Sequence, residues 1–307
     1  MAAGPRAEAP APPPASLVGL APRTRQLLSD FVELTKPKVQ SLLLLTTIAT
    51  MYVAGDPSPL LVALTCLGGY LSAGGAGAVN HFLDRDLDAR MTRTAARPIP
   101  AGRIAPHAAL AFGCVLAALS LLELSLAVNP LAAALSFAGF LGYVFVYTLW
   151  LKRRTPQNIV IGGAAGAVPP LVGWAAVRGS VSGTAVMLFF IVFFWTPAHF
   201  WSLSLLTQGE YARAGVPMLP VVRGEQETRR QILLYAVLLY AVTQLPFCAG
   251  GFGGIYLAGS LALGLAFIAG AVRLYRRADR SSALRMYLFS LGYLALLFCA
   301  MVADAHL

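Results

Sequence analysis

Long apolar segments divide the chain into a regular pattern. Nine stretches of about 20 mostly apolar residues, the length at which a helix crosses a bilayer, alternate with short polar breaks. The breaks contain turn signals such as Asp56-Pro57, Asn129-Pro130 and Gly250-Gly251. The pattern therefore predicts nine transmembrane helices, near residues 39–55, 59–82, 106–128, 130–150, 157–177, 183–206, 230–249, 253–275 and 283–303.

Composition supports a membrane protein. The 307 residues are 58% hydrophobic and 12% charged, whereas a soluble domain has about 25% charged residues, so a soluble globule and a disordered chain are excluded. The net charge of +10 does not indicate nucleic-acid binding, because the basic residues are separated by apolar runs. The four cysteines lie in apolar runs without CxxC spacing, which supports neither a disulfide framework nor a zinc site.

The distribution of charge predicts the topology. All of the 23 Lys and Arg residues except Arg178 fall in the N-terminal segment or in alternate loops. Cytoplasmic loops carry such an excess, so we expect a cytoplasmic N-terminus and an extracytoplasmic C-terminus. The predicted fold is all-α and polytopic, with nine helices around a central cavity that opens to the cytoplasm. Residues 1–29, rich in Ala and Pro, are expected to form a flexible cytoplasmic tail, and residues 30–307 one transmembrane domain.

An acidic motif ends the second predicted span. Asn80, Asp84 and Asp88 are spaced i, i+4, i+8, so a helix places them on one face, and Asp86 points away from it. Two carboxylates and an amide oxygen suit Mg²⁺, which takes one or two carboxylates together with water and phosphate oxygens. The alternative interpretation is a solvated helix end whose aspartates pair with nearby arginines.

Basic and aromatic residues near the same membrane face are further candidates. Each basic group has an alternative role as a topological anchor, although arginine beside a carboxylate–Mg²⁺ site also binds diphosphate oxygens. The candidate diphosphate ligands are Arg93, Arg97, Lys152, Arg153, Tyr211 and Arg213. Glu210 is a candidate for a further metal ligand. His199 and Trp201 are candidates for contact with a flat apolar acceptor, although a hydrogen-bonded helix-end histidine is the commoner case.

Two classes of function fit these features. One is a membrane-embedded transferase that acts on a lipid diphosphate, and the other is a secondary transporter with an aspartate-lined ion site. Transporters place charges near the bilayer midplane. Here the acidic motif lies at the inner face and Glu123 is the main charged residue within a span, which favours the transferase.

The chain resembles the UbiA-type intramembrane prenyltransferases, and among them the protohaem IX farnesyltransferase (haem O synthase) family. The superfamily signature is matched by Asn80, Asp84 and Asp88. Stretches more specific to the haem branch are Arg93-Thr94, Arg97-Pro98, Tyr147-Thr148, Leu151-Lys152-Arg153, Asn158 to Ala167, Pro169 to Trp174, His199-Phe200-Trp201 and Tyr211 to Pro220. Where family members usually carry an acidic pair, Gly209-Glu210 leaves one carboxylate, so Gln208, or diphosphate and water, would complete a second metal site.

The resemblance implies the activity. A Mg²⁺-dependent prenyltransferase would transfer the farnesyl group of farnesyl diphosphate to a vinyl group of haem B, with addition of water, and release haem O and diphosphate. It implies a lipid bilayer and haem A synthase as further partners and no nucleic acid. The composition favours a bacterial host, in which the protein would span the plasma (inner) membrane. Other members of the superfamily use a quinone precursor as acceptor, and the aspartate motif alone does not distinguish them.

Overall fold

The protein is helical throughout the part that the structure describes. The computed structural model describes residues 20–307, and no strand occurs within them. Its helices are α1 Leu20–Leu34, α2 Pro37–Ala54, α3 Pro59–Leu83, α4 Arg85–Asp88, α5 Pro106–Val128, α6 Pro130–Leu151, α7 Asn158–Gly166, α8 Pro169–Arg178, α9 Gly183–Leu206, α10 Gln208–Ala214, α11 Leu219–Val222, α12 Gly224–Cys248, α13 Gly254–Arg277 and α14 Arg280–His306. The all-α prediction is confirmed.

Eight helical segments of the described chain are long and apolar enough to cross a membrane. They are α3, α5, α6, the α7–α8 pair, α9, α12, α13 and α14, and they coincide with the second to ninth predicted spans. Helix α2 matches the first predicted span and has 18 residues, but Lys38 and Gln40 make its first turns polar. The protein is therefore a multi-pass integral membrane protein, and the count of nine spans stays a prediction.

Three of the predicted spans are less regular than the apolar pattern indicates. The third, α5, ends in a π-helical segment over Leu124–Val128. The fifth is broken between α7 and α8, directly before Pro169-Pro170, because a proline has no N–H to donate to the helix. The fourth, α6, continues as a π-helix over Gly142–Leu151. π-Helical turns often occur at functional sites, and this one contains Thr148, which contacts the acidic motif.

Helix α1 begins earlier than the predicted end of the N-terminal tail. Residues 20–29, which were expected to be flexible, belong to α1. The second half of α1 is held in place by contacts with the rest of the chain. The buried Asp30 accepts two hydrogen bonds from Nε of Arg103, at 3.0 and 3.1 Å. Phe31 also packs edge-on against Phe112, with 4.9 Å between ring centroids. Residues 1–19 lie outside the described residues, so a flexible tail there stays a prediction.

Small residues bring α3 and α5 close together. A Cβ atom added to Gly75 would lie 2.7 Å from the backbone oxygen of Gly113, and one added to Gly113 would lie 2.8 Å from that of Gly75. Small residues at such crossings allow the close approach of membrane helices. This packing holds the end of α3, and with it the acidic motif, in place.

Gly75→Ala is expected to lower stability, because the added methyl must displace the α5 backbone. Overpacking of this kind costs about 1–3 kcal/mol. The matched control is Gly69→Ala on the same helix, whose Cβ would lie 3.8 Å from a Leu44 side chain, an ordinary contact. Thermal unfolding in detergent should show a lower Tm for Gly75→Ala alone, and equal Tm values for the two variants would contradict the packing argument.

Candidate active site

The acidic motif lies where α3 ends and α4 begins. The turn at Asp84 keeps the helical register, since Asp84 N–H donates to Asn80 O at 2.9 Å and Asp88 N–H donates to Asp84 O at 2.8 Å. The side chains of Asn80, Asp84 and Asp88 are consequently buried together at one end of α3. Asp86 is half exposed, on the other side of the turn. The arrangement is the one that the spacing predicts.

Asp84 is almost completely enclosed, with 1% of the residue exposed. Its Oδ2 accepts hydrogen bonds from Asn80 Nδ2 at 2.7 Å and from Lys152 Nζ. Its Oδ1 is buried without a hydrogen-bond partner in the described part of the chain, and Nη2 of Arg153 is 3.8 Å from it. A buried carboxylate oxygen without a partner is uncommon and requires an explanation. A cation bound at this oxygen would provide one.

Asp88 is held by the loop that follows it. Nη1 of Arg97 donates to both carboxylate oxygens, at 2.9 and 2.7 Å, and the Thr94 hydroxyl donates to the Asp88 carbonyl at 2.9 Å. The predicted arginine after the motif therefore reaches the carboxylate face. Arg93, the residue directly before Thr94, is exposed, and its side chain forms no ion pair with either aspartate in the described chain.

Lys36 completes the cluster, although no motif in the sequence predicts it as a site residue. It joins α1 to α2 in the left-handed conformation, with φ 54°, which is strained for a residue with a side chain. Its Nζ donates to Asn80 Oδ1 at 2.5 Å and to the Tyr143 hydroxyl at 3.4 Å. Burial, followed by the charges of Arg97 and Lys152, lowers the pKa of Lys36 to about 7. A bound anion would raise this pKa again, because it favours the charged amine.

The cluster as a whole has more positive than negative charge. Lys36, Arg97 and Lys152 are opposed by two carboxylates, Asp84 and Asp88. Buried charges are stable when they are paired and hydrogen-bonded, and here every carboxylate already has a cationic partner. The surplus of cations suits a ligand that brings negative charge, such as a diphosphate.

The donor set fits a magnesium ion that is completed by a ligand. No three His, Cys, Asp or Glu side chains within residues 24–307 converge closely enough to hold a metal by themselves. Asn80, Asp84 and Asp88 offer one amide and two carboxylates, which is the protein share that Mg²⁺ usually takes when phosphate oxygens and water supply the rest. The unpartnered Asp84 Oδ1 is the donor most available to it.

Helix α10 contacts the loop that follows the acidic motif through Glu210. Helix α10 carries this residue, and its Oε2 accepts the backbone N–H of Arg93 at 3.4 Å. Glu210 does not join a cluster with Asp84 and Asp88 in the described chain. Tyr211 is buried next to it and Arg213 is exposed. Gln208 donates to the Pro220 carbonyl at 3.1 Å.

Arg153 contacts the acidic motif at Asp86, on the opposite side of the turn from Asn80, Asp84 and Asp88. It donates to both carboxylate oxygens of Asp86, at 2.8 and 2.7 Å, and to the Leu83 carbonyl. The hydrogen bond from Arg153 lowers the pKa of Asp86. The pair borders an open pocket of about 480 Å³ that is lined by Leu83, Arg85, Asp86, Thr148, Leu149 and Arg153. Thr148 accepts a hydrogen bond from Asn80 at 3.2 Å, so this pocket adjoins the carboxylate cluster.

His199 and Trp201, the candidates for contact with the acceptor substrate, pack between helices. His199 Nδ1 is 2.7 Å from the Ser290 hydroxyl, and its ring stacks against Trp195 and Tyr287, at centroid distances of 4.3 and 4.9 Å. Trp201 is fully buried, and its indole N–H has no hydrogen-bond partner among residues 24–307. Beyond α9, His199 contacts α14 and Trp201 contacts α12, so contact of either residue with the acceptor substrate stays a prediction.

Comparison with known proteins identifies the family. The sequence profile of the UbiA prenyltransferase family matches residues 43–297. The chain belongs to this family. The family predicted from the Asn80, Asp84 and Asp88 motif is therefore confirmed, and this UbiA-family fold places the three residues at the buried end of α3.

Relatives of this UbiA-family chain are named protohaem IX farnesyltransferase. The chain is 54% identical over 285 residues to the one from Chloroflexus aurantiacus, covering 92% of this chain and 49% of that protein. It spans about half the length of the first such relatives, since the one from Roseiflexus sp. is covered to 52%. The relative from Symbiobacterium thermophilum is 53% identical over 283 residues, and the match covers 91% of this chain and 95% of that protein.

Solved structures share the UbiA fold at low sequence identity. A structure of digeranylgeranylglyceryl phosphate synthase superimposes with a TM-score of 0.75 at 20% identity, covering 91% of this chain and 99% of that one. A UbiA homologue from Archaeoglobus fulgidus, bound to GPP and Mg²⁺, gives a TM-score of 0.64 at 16% identity, covering 89% and 99%. At these identities the likeness establishes the fold alone.

Glu210→Gln is expected to reduce prenyl transfer modestly, by about tenfold, because the charge lies next to the Arg93 loop without contacting Asp84 or Asp88. One hydrogen bond to a charged group is worth about 1.5–3 kcal/mol, and this one is long. Initial rates should be measured against Mg²⁺ concentration. A rise in the Mg²⁺ requirement would support a metal role for Glu210, and an unchanged rate and requirement would contradict it.

Proposed function

We propose that this UbiA-family protein is a protohaem IX farnesyltransferase. It transfers the farnesyl group of farnesyl diphosphate to a vinyl group of haem B, water adds to the vinyl group, and haem O and diphosphate are released. The observation that supports the transfer is the buried pair Asp84 and Asp88, each already joined to a cation. The choice of haem rests on the 53% identity to a relative of that name that the chain spans almost completely.

The cations of the cluster bind the diphosphate in this proposal. Lys152 and Arg97 exchange their carboxylate contacts for contacts with diphosphate oxygens, and Lys36 adds a third positive charge. Mg²⁺, held by Asn80, Asp84 and Asp88, would supply the charge that stabilises the departing diphosphate. Groups that are already oriented in a buried site stabilise developing charge better than water does, because they need no reorganisation.

The remaining candidates contact the outer parts of the substrates. The farnesyl chain lies among the apolar spans, where bulk water is excluded from the allylic carbon. The mouth of the site is bordered by four candidate diphosphate ligands, Tyr211, Arg93, Arg153 and Arg213. Glu210 supports a second cation there. His199 and Trp201 contact haem. Water then adds to the haem carbon that is left electron-deficient, and its proton leaves to solvent.

The proposal includes an orientation in the membrane. The acidic cluster faces the cytoplasm of a bacterium at the plasma (inner) membrane, and the central cavity opens to that side. The N-terminus is cytoplasmic and the C-terminus is extracytoplasmic. The support is the basic loop excess, which follows the positive-inside rule. Residues 30–307 act as one transmembrane prenyltransferase domain, and haem A synthase is the partner that consumes haem O.

A choice of acceptors tests the proposal. The purified protein is incubated with farnesyl diphosphate, Mg²⁺ and either haem B or 4-hydroxybenzoate, and the products are separated and weighed by mass spectrometry. We expect a farnesylated, hydrated haem in the haem reaction alone, and no product after chelation of Mg²⁺. A prenylated benzoate would instead support the quinone-precursor alternative. If Mg²⁺ and farnesyl diphosphate gave neither product nor a rise in Tm, an ion-coupled transporter would be favoured.

A further inference from the structure

His81 is a buried polar side chain without a partner. It lies on the last turn of α3, its side chain is 1% exposed, and neither ring nitrogen has a hydrogen-bond partner among residues 24–307. A neutral imidazole carries one N–H donor and one acceptor nitrogen. Leaving both unsatisfied in the interior is costly, and such groups in native structures usually meet water, an ion or a ligand.

The position of His81 places it at the acidic cluster. It follows Asn80 directly and precedes Asp88 by seven residues, which is about two helical turns, so the two side chains project from nearly the same face. The cations of this cluster are Lys36, Arg97 and Lys152, and Lys36 Nζ donates to Asn80, the residue directly before His81. These are the three cations that hold Asn80, Asp84 and Asp88.

Two unpartnered groups therefore lie three residues apart at the end of α3. His81 has a donor without an acceptor, and Asp84 Oδ1, three residues later, is an acceptor without a donor. They form no hydrogen bond with each other. A ligand that satisfies both must offer oxygen atoms to the imidazole and a cation to the carboxylate. A magnesium diphosphate has both features, and the surrounding cations attract it.

We propose that His81 is a substrate-binding residue that donates an N–H hydrogen bond to a diphosphate oxygen of the prenyl substrate. The inference rests on the proposed function only in requiring a prenyl diphosphate, whatever the acceptor. The imidazole needs no change of protonation for this role. It adds a directed donor beside three groups that bind mainly through their charge.

Binding of pyrophosphate tests this role without turnover. Pyrophosphate with Mg²⁺ is titrated calorimetrically into the purified protein and into three variants. His81→Phe removes both nitrogens and keeps a planar ring, His81→Gln keeps an N–H donor, and His107→Phe is the matched control at an exposed histidine. We expect Kd to rise about tenfold for His81→Phe, to stay within about threefold for His81→Gln, and to be unchanged for His107→Phe.

The binding results distinguish a failure of the His81 role from a failure of the proposed function. Unchanged binding by a folded His81→Phe, or equal weakening in His81→Gln, would overturn the role, because the donor would not matter. Tm without ligand shows whether each variant folds, and His81→Leu gives the same test if the phenylalanine variant does not. If the unsubstituted protein itself fails to bind magnesium pyrophosphate, the proposed function fails. If it binds and His81→Phe binds equally well, only the inference about His81 fails.

Discussion

Asp84→Asn should reduce farnesyl transfer by about a thousandfold, the upper range for loss of a group that stabilises developing charge, while the chain still folds and inserts. The amide keeps the size of the side chain and an oxygen for Asn80 Nδ2. It removes the charge that pairs with Lys152 and weakens the buried oxygen that is free to hold a cation. Both changes act on the diphosphate end of the reaction.

The matched control for Asp84→Asn is Asp86→Asn, an identical exchange two residues away. Asp86 is half exposed and pairs with Arg153 on the outer side of the turn, where an exposed ion pair is worth little. Initial rates of haem product formation in membranes should fall for Asp84→Asn and stay within about threefold of the unsubstituted rate for Asp86→Asn. Comparable losses in both variants would indicate that the whole helix end, and not the inward face, carries the activity.

Lys152→Met should lower kcat/KM for farnesyl diphosphate by about a hundredfold, which corresponds to loss of a charge-assisted bond in a shielded site. Lys152 Nζ contacts Asp84 and its side chain is 12% exposed. Removing it deprives the diphosphate of a cation and leaves Asp84 without its strongest partner. Methionine retains the length and apolar contacts of the stem, so the change isolates the charge.

Arg154→Met provides the comparison for Lys152→Met, since Arg154 is an exposed cation two residues along the same loop. We expect its kcat/KM to stay near that of the unsubstituted protein and Lys152→Arg to recover part of the loss. Steady-state rates over a range of farnesyl diphosphate concentrations measure all three variants. An equal fall for both methionine variants would mean that the basic loop acts as a membrane anchor and that Lys152 has no specific contact.

The spans and the acidic face were predictable because each follows from a short-range rule. Apolar runs of membrane length predict the ends of the long helices to within six residues, with the largest difference at the start of α12. The i, i+4, i+8 spacing places Asn80, Asp84 and Asp88 on one buried face. Proline begins several helices for a similarly local reason, since the first turn of a helix does not need its missing N–H. The π-helical course of Gly142–Leu151 has no comparable signal in the sequence.

Contacts between residues that are far apart in the sequence could not be predicted from such short-range rules. Lys36 reaches Asn80 and Tyr143 from the α1–α2 link, and periodicity gives no information about such a contact. Arg153 was expected to face the diphosphate, but its main partner is Asp86. Its neighbour Lys152 points to the other side and meets Asp84. Lys152 and Arg153 are consecutive residues at the end of α6, yet they contact different aspartates. The packing of α6 against α3 decides which aspartate each of them meets.

The most direct test of the account is the mass of the haem product formed by three proteins under one set of conditions. Membranes containing the unsubstituted chain, Asp84→Asn or Asp86→Asn are incubated with haem B, farnesyl diphosphate and Mg²⁺, with equal amounts of each protein verified by immunoblot. We expect a farnesylated, hydrated haem from the unsubstituted chain and from Asp86→Asn, and almost none from Asp84→Asn. Full product from Asp84→Asn, or none from the unsubstituted chain, would contradict this expectation.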